Sequence, residues 1–219
     1  MKQLPKKRWL LHGKKAFYYF ATIVGVICAY YFNSSQIERA EETVKGISLG
    51  MYISFNLSMI LSLILSFQAK NWNLILQFLA WVLGGIILIC FVFLRVEDYS
   101  WLVMDTIILS CALSGLIFTI ARSFIKHVNF FRDSATKGLN GIFLKSIPQF
   151  GLGILMIIQG SGEGLTFVAI FVGHVSILMR LIIIWSEKKN RERWVRRADE
   201  WNLISWAFVT LVWIIKEVL

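Results

Sequence analysis

The chain has 219 residues, of which 57% are hydrophobic and only 16% charged, and its formal net charge is +10. A typical soluble domain carries nearer a quarter charged residues, so this composition excludes an ordinary soluble enzyme and indicates helices in lipid. The cations stand in short clusters between apolar runs, which is typical of cytoplasmic loops facing anionic lipid and disfavours nucleic-acid binding. We expect the lipid bilayer as a partner, and no nucleic acid.

Seven continuously apolar runs follow one another along the chain. Their approximate bounds are 16–32, 47–67, 74–94, 101–121, 142–158, 165–185 and 202–218. A helix needs about 20 residues to cross the hydrocarbon core, and the first, fifth and seventh runs are the shortest. Open sheet edges find no partners in lipid, and the alternation of a barrel strand is missing. The runs predict an all-α integral membrane protein with seven transmembrane helices.

Lysine and arginine are divided unevenly between the two sides that seven crossings create. One side receives 17 of them, counting the N-terminus, Lys70 and the loops around 122–137 and 188–197, and the other side receives four. Positive residues favour the cytoplasmic side of a membrane. We therefore predict a multi-pass protein of the cell membrane with its N-terminus in the cytoplasm.

An internal repeat relates the two halves of the chain. Residues 45–67 align with 163–185 without a gap, and this pairs Ser48 with Thr166 and Asn56 with His174. Each copy is followed by a polar loop and then by the sequence Trp-Asn-Leu-Ile. The repeat relates runs one to three to runs five to seven. Because a single linker helix lies between them, both halves have the same orientation in the membrane.

The repeat predicts two parallel three-helix repeats joined by a linker helix. The first repeat and its basic N-terminal tail occupy residues 1–94. The linker helix and a basic loop occupy residues 95–140, and the second repeat occupies residues 141–219.

One segment resembles the signature of a known superfamily. Ser146-Ile147-Pro148-Gln149, followed by Glu163-Gly164-Leu165-Thr166, is similar to the signature of the PQ-loop/SWEET-like transporters, and the first half keeps Gly46-Ile47-Ser48 without a Pro-Gln pair. The resemblance implies a 3+1+3 fold whose two bundles enclose a central solute path. The superfamily includes sugar uniporters, lysosomal amino-acid exporters and, in a related branch, receptors that bind a peptide tail.

Asn56 and His174 are polar residues at equivalent repeat positions near the midplane, where a polar group is costly. If both face the bundle interior, they meet across the axis, where they can bind a solute, or a proton at the His174 imidazole. The alternative is that each is a packing residue, hydrogen-bonded to a neighbouring helix.

Four residues at the starts of the third helices are further candidates for substrate binding: Trp72, Asn73, Trp201 and Asn202. An interfacial tryptophan belt with asparagine helix caps is the alternative interpretation. The resemblance implies that a tryptophan and an asparagine from these helices line the solute site. Pro148 cannot donate a backbone hydrogen bond, which predicts a kink, and the resemblance implies that Pro148 and Gln149 form a gating hinge.

The sequence shows no catalytic motif, and Cys28, Cys90 and Cys111 fit no metal-site spacing. We therefore expect neither an enzyme nor a cofactor or metal. The leading hypothesis is a transporter that moves a small polar solute, such as a sugar, an amino acid or a vitamin, by alternating access. The alternative is a receptor, immunity or assembly protein on the same fold, acting through basic cytoplasmic loops such as 187–200. The sequence leaves the oligomeric state open.

Overall fold

A computed structural model describes residues 6–43, 47–68, 70–94, 99–186 and 193–219, and all regular structure within these ranges is helical. The helices are α1 (Lys6–Glu42), α2 (Leu49–Gln68), α3 (Trp72–Leu94), α4 (Val103–Ile125), α5 (Ser134–Gln159), α6 (Phe167–Ser186) and α7 (Arg193–Glu217). The predicted all-α class is confirmed.

Five of these helices are long and apolar enough to cross a membrane, namely α1 to α5, with α1 counted from Ala16 to Glu42. Phe167–Ile182 of α6 is a shorter apolar stretch. Large apolar side chains such as Leu94, Val103 and Phe124 point outward and are exposed. An apolar surface of this kind is expected where the surrounding solvent is lipid, so the chain is a membrane-embedded helical protein.

Three helices extend well beyond the apolar runs that predicted them. α1 continues from residue 6 to residue 42, α5 begins at Ser134 and α7 begins at Arg193. Charged and polar residues at a helix end are solvated by water or headgroups, so the hydrogen-bonded helix continues past the hydrocarbon boundary. The division at residues 140 and 141 therefore falls inside α5.

Each half of the molecule has its third helix packed against the other two. In the first half α3 contacts α1 and α2, and in the second half α7 contacts α5 and α6. The halves meet where α1 packs on α6 and where α2 packs on α5. α4 packs on α2 and α5.

Contacts between helix ends show that consecutive helices run in opposite directions. At one end, the Leu49 backbone N–H donates to the Tyr99 hydroxyl (3.1 Å) and the Gly162 N–H donates to Glu217 (2.6 Å). Near the other end, the Gln77 amide donates to the Ala21 carbonyl (3.1 Å). Loops that follow odd-numbered helices thus share one end of the molecule, which we call the outer end.

The aligned residues Ser48 and Thr166 have the same role in the two halves. The Met51 N–H donates to the Ser48 hydroxyl (3.1 Å), and the Ala169 N–H donates to the Thr166 hydroxyl (3.0 Å). Both side chains are thus N-caps that satisfy a free N–H at the start of a helix. The preceding Gly46 lies outside the described residues.

Candidate functional site

A small cavity lies between the two halves, and six of the helices, all except α4, contribute residues to its lining. Its volume is about 40 Å³. A buried water needs roughly 10–15 Å³ by this measure, so the space holds about three waters. We call it the central cavity.

Aromatic side chains form much of the wall of the central cavity. Phe32 of α1 lies between two indoles, with ring centroids 5.3 Å from Trp81 of α3 and 6.1 Å from Trp206 of α7. The Trp206 indole N–H donates to the Ile170 carbonyl (3.1 Å), which fixes the ring against α6. Gly173 permits this approach, because a Cβ at that position would overlap the indole.

Most of the polar lining comes from the second half. Gln149 of α5 accepts a hydrogen bond from Ser205 of α7 through its Oε1 (2.6 Å). Arg180 of α6 forms an ion pair with Asp199 of α7 between Nη2 and Oδ1 (2.9 Å). These contacts join the three helices of that half around the cavity.

Two polar atoms in the lining residues are buried without a hydrogen-bond partner: Nε of Arg180 and Oδ1 of Asn202. The Asn202 residue is only 1% exposed. Leaving a buried donor or acceptor unpaired costs about 1–3 kcal/mol. Unpaired polar atoms are uncommon in native structures, so these two make the lining of the central cavity the candidate site.

A second basic residue lies close to this polar part of the lining. Lys145 is 7% exposed in α5 and interacts electrostatically with Arg180 and Asp199. Because an uncompensated charge is costly in lipid, the pairing of Arg180 with Asp199 stabilises both groups.

Hydrogen bonds join the two halves beside the central cavity, on the side of the outer end. The fully buried Gln36 amide of α1 donates to the Gly164 carbonyl (3.0 Å) and accepts from the Thr166 N–H (3.1 Å), in the turn before α6. Its nitrogen is also 2.5 Å from the hydroxyl of Tyr52, which lines the cavity. We call Gln36, Tyr52, Gly164 and Thr166 the outer clamp.

The structure does not bring Asn56 and His174 together. Asn56 is buried in α2 against Gly85 of α3, and its Oδ1 has no partner. His174 is half-buried in α6, with its Nδ1 2.9 Å from the Ile170 carbonyl and its ring 6.4 Å from that of Trp206. Each residue therefore faces the third helix of its own half, and neither lines the central cavity.

Of the four candidates at the starts of the third helices, Asn202 lines the cavity. Trp72 is 70% exposed, Trp201 is 48% exposed, and Asn73 is half-exposed. The difference between the asparagines follows from the helix starts. α3 begins at Trp72, whereas α7 begins at Arg193, so Asn202 lies far enough inside α7 to reach the cavity.

α5 carries a π-turn over Ile142–Ser146, directly before Ile147 and Pro148. Pro148 has no N–H to give to residue 144, which lies inside the π-turn, so the proline and the irregular turn fall on the same stretch of helix. Gln149, the next residue, lines the cavity and contacts Ser205. A gating hinge at this point stays a prediction.

Asp105 forms a separate buried cluster at the start of α4. Its Oδ1 accepts from the Ser48 hydroxyl (2.6 Å) and the Gly50 N–H (3.0 Å), and its Oδ2 accepts from the Tyr99 hydroxyl (2.6 Å) and the Leu102 N–H (3.2 Å). Burial, followed by the hydrogen bond to Asp105, raises the pKa of Tyr99 far above its ordinary value and keeps it a donor. We call these five residues the Asp105 cap. All four donors to the Asp105 carboxylate belong to this cluster.

Sequence reasoning missed several residues of the cavity, among them Phe32, Trp81 and Trp206. Arg180 did carry a signal, because it is a charge inside an apolar run. A charge near the end of such a run is typical of a side chain that reaches the headgroups, but the structure pairs Arg180 with Asp199 inside the bundle. Asp199 itself lies in the helical extension that the apolar pattern did not include.

Within the described residues, His, Cys, Asp and Glu side chains form no group of three or more that could hold a metal ion. In comparisons with known proteins, no family model, no curated protein and no solved structure matches this chain.

Proposed function

We propose that this protein is a membrane transporter of a small polar solute that works by alternating access between two three-helix bundles, α1–α3 and α5–α7, with α4 as the linker. The observation that carries the proposal is the central cavity between the halves, whose lining residues Arg180 and Asn202 hold buried, unpaired polar atoms. The resemblance of residues 146–166 to the PQ-loop signature points to the same function.

The helix contacts support two equivalent bundles. The third helix packs on the first and second in each half, and the contact of α1 with α6 has its counterpart in the contact of α5 with α2. Ser48 and Thr166 cap corresponding helices. A parallel repeat of this kind relates the halves by an axis along the membrane normal and places the solute site at their interface.

Alternating access requires that the central cavity open to one side at a time. The outer clamp joins α1 and α2 to the turn before α6, so its release is the step that would open the outer side. Toward the other end, the ion pair of Arg180 and Asp199 ties α6 to α7 beside the cavity. These two sets of contacts are the proposed gates on the two sides of the central cavity.

Solute counterflow in proteoliposomes tests the proposal. The purified chain is reconstituted, preloaded with one unlabelled solute at a time from a panel of neutral sugars, amino acids and short carboxylates, and assayed for uptake of the labelled solute. The expected result is flux for at least one class above that of empty vesicles. Absence of flux for every class, from protein that elutes as a single species in detergent, would overturn the proposal.

The outer clamp offers a variant with a matched control. Gln36→Leu removes hydrogen bonds to Gly164 and Thr166 and is expected to favour the outward-open state, so that accessibility of the outer side rises and net flux falls. Gln77→Leu is the control, because Gln77 also donates from one helix to a neighbouring backbone carbonyl but lies off the cavity. Equal effects of both substitutions would count against a gating role of the clamp.

For the orientation, we propose the cytoplasm as the side of the N-terminus. The lysine and arginine count favours it, and the alternating helix directions place Lys70, Arg122 and the basic start of α7 at the same end of the molecule. Cysteine labelling at position 100, between α3 and α4, and at position 70 tests it. Position 100 should react with an impermeant reagent in intact cells, and position 70 should react after permeabilisation.

A receptor, immunity or assembly protein on the same fold is the second candidate, and the start of α7 favours it. Arg193, Trp194, Arg196 and Arg197 are exposed there, and the Arg197 guanidinium lies 5.7 Å above the Trp194 ring. Residues 187–192 of the predicted docking loop lie outside the described residues. If replacing the three arginines with glutamine abolished the cellular phenotype, and Arg180 and Asn202 variants kept it, the second candidate would replace the first.

A further inference from the structure

The exposed face of α7 changes its chemistry along the helix. Its exposed side chains include Arg193, Arg197, Trp201, Ile204, Leu211 and Ile215. At 3.6 residues per turn, these positions lie on one side of the helix, within a sector of about 80°. One stripe of α7 therefore begins with two guanidinium groups, continues with an indole and ends in aliphatic side chains. We call these six residues the α7 stripe.

The length of the α7 stripe matches one leaflet of a bilayer. Trp201 and Leu211 are ten residues apart. That spacing is about 15 Å along a helix axis, which is half of the roughly 30 Å hydrocarbon core. Tryptophan favours the boundary between headgroups and hydrocarbon, so an indole at Trp201 places the two arginines at the depth of the headgroups. The stripe thus follows the order of a phospholipid, from the headgroup to the end of the acyl chain.

Carboxylates of the protein do not neutralise the two arginines of the stripe. The segment Arg193–Glu200 contains two carboxylates, of which Asp199 pairs with a guanidinium of α6 and Glu200 pairs with Arg196 (3.3 Å). Within the part of the chain that the structure describes, neither Arg193 nor Arg197 forms an ion pair. Both guanidinium groups are exposed and accessible to an anion from outside the protein.

The surroundings of the two arginines favour an anionic headgroup over a zwitterionic one. The Arg197 guanidinium lies 5.7 Å above the Trp194 ring. Gly138 of α5 packs against the Trp194 carbonyl, and the next residue along α5, Lys137, is half-exposed. A phosphate can accept two parallel N–H bonds from one guanidinium. A choline or ethanolamine group on that phosphate would bring another cation to a surface that is already positive.

We propose that the α7 stripe binds a single anionic glycerophospholipid, whose phosphate accepts from Arg193 and Arg197 and whose acyl chain packs on Trp201, Ile204 and Leu211. The site goes beyond the transporter proposal and does not depend on it, because the lipid is a bound ligand here and not only the surrounding solvent. In the first half, the corresponding tryptophan begins α3, so no arginine precedes it on that helix.

Native mass spectrometry of the purified full-length chain in a neutral detergent tests the site through binding of the first phospholipid. The probes are dioleoyl phosphatidylglycerol, which is anionic, and dioleoyl phosphatidylcholine, which has the same chains and no net charge. Two exposed arginines predict about tenfold tighter binding of phosphatidylglycerol. Equal affinity for the two lipids would overturn the proposal.

Two pairs of substitutions separate a defined site from general attraction. Arg193→Gln with Arg197→Gln should weaken phosphatidylglycerol binding about tenfold and leave phosphatidylcholine binding unchanged. The matched control is Lys126→Gln with Arg132→Gln, which removes two exposed charges from the same end of the molecule but from the segment between α4 and α5. The control should weaken phosphatidylglycerol binding less than about twofold, because screening by salt reduces the effect of distant charges. Equal weakening by both pairs would contradict a site on α7.

The two tryptophans at equivalent repeat positions test the contact with the acyl chain. Trp201→Leu should weaken the binding of both lipids about threefold, because an indole is the better anchor at the membrane boundary. Trp72→Leu makes the same change at a tryptophan that is 70% exposed, and it should weaken neither lipid. If the two substitutions had equal effects, the acyl chain would not lie along the α7 stripe.

Two further outcomes distinguish the lipid from other anions. Glycerol 3-phosphate has the phosphate without the acyl chains, and it should not displace phosphatidylglycerol at an equal concentration. Displacement would show a site for a free phosphate and would overturn the lipid assignment. If the Arg193 and Arg197 double variant kept phosphatidylglycerol binding but lost the cellular phenotype, the arginines would serve the docking surface of the second candidate function, and the lipid site would be wrong.

Discussion

Two regions of this molecule bury polar chemistry between helices, and they treat it in opposite ways. In the Asp105 cap, each carboxylate oxygen accepts two hydrogen bonds, and the donors come from the start of α2 and from the segment between α3 and α4. In the central cavity, Arg180 Nε and Asn202 Oδ1 have no partner. A fully satisfied cluster holds helices together, whereas unpaired atoms leave hydrogen-bonding capacity unused.

The largest expected effect comes from removing the carboxylate of the cap. Asp105→Ala leaves four donors without their acceptor, among them the Ser48 and Tyr99 hydroxyls, and should lower the free energy of unfolding by at least about 3 kcal/mol. Unfolding in mixed detergent and dodecyl sulfate micelles measures this. Asp105→Asn, which keeps one acceptor oxygen, should lose less.

The same substitution tests whether the comparison holds. If Asp105→Ala left the unfolding free energy unchanged but abolished solute flux, the carboxylate would be a functional group, and the contrast between the two regions would fail.

A steric change in the cap should have the next largest effect on stability. A Cβ at Gly50 would overlap the backbone carbonyl of Asp105, which cannot move as a flexible side chain would. Gly50→Ala is therefore expected to lower the free energy of unfolding by about 1–3 kcal/mol. Gly85→Ala is the control. A Cβ there would lie 3.1 Å from the Asn56 amide, which is part of a side chain and can shift.

The two glycines separate backbone overlap from side-chain crowding. Melting temperature in detergent is the measurement, and the Gly50 variant should melt several degrees below the Gly85 variant. Equal melting temperatures would show that α2 can shift away from α4, so that the cap is not a rigid junction.

Two buried asparagines sharpen the comparison within the membrane. Asn56 and Asn202 each have an unpaired Oδ1, but Asn202 lines the central cavity and Asn56 packs against Gly85. Asn202→Ala should lower counterflow of the transported solute at least tenfold, whereas Asn56→Ala should change it less than twofold. The reverse result would favour the pair Asn56 and His174, which the sequence analysis named as candidates, over Asn202.

The smallest expected effect concerns Asp133, the partly exposed N-cap of α5, which is bonded to Arg122 near the end of α4. Burial raises the pKa of Asp133, but hydrogen bonds from Thr136 and Arg122 outweigh it and hold the pKa below its ordinary 3.8. The stabilisation is therefore present above pH 3.8 and is lost as the pH falls through the lower, folded value. Asp133→Asn should cost roughly 0.5–1 kcal/mol at pH 7.

The pH dependence of the difference between the two proteins measures this effect. The unfolding free energies of the wild type and of the Asp133→Asn variant should converge as the pH falls from 4 toward 2. A difference that stays constant over this range would show that Arg122 does not discriminate between the two side chains.

The apolar pattern predicted much of the fold, because continuous hydrophobic runs in lipid leave the helix as the available structure. The repeat also identified Ser48 and Thr166, whose short side chains make the same N-cap in both halves. Helix ends were harder to predict, since residues such as Asp199 and Lys6 lie on helices but outside the apolar runs.

The candidate site was predictable only in part. Asn202 was a candidate for substrate binding and Gln149 a candidate for a hinge, and both line the cavity. The aromatic lining was not found, because Phe32 and Trp81 look the same in sequence whether they face lipid or a cavity. The face that a residue presents depends on how the two halves pack, and the packing between helices far apart in sequence is not encoded in local periodicity.

The π-turn at Ile142–Ser146 has a consequence for how α5 tolerates changes of length. A π-turn adds a residue to a helix without breaking it, and each added residue rotates the following helix face by about 100°. If the π-turn absorbs one such extra residue, deleting a residue there restores a regular helix. Asn140, bonded to Thr119 (2.6 Å), and Gln149 then both keep their present faces. The part of α5 before the turn would then set which face meets the linker helix α4, and the part after the turn would independently set which face meets the cavity.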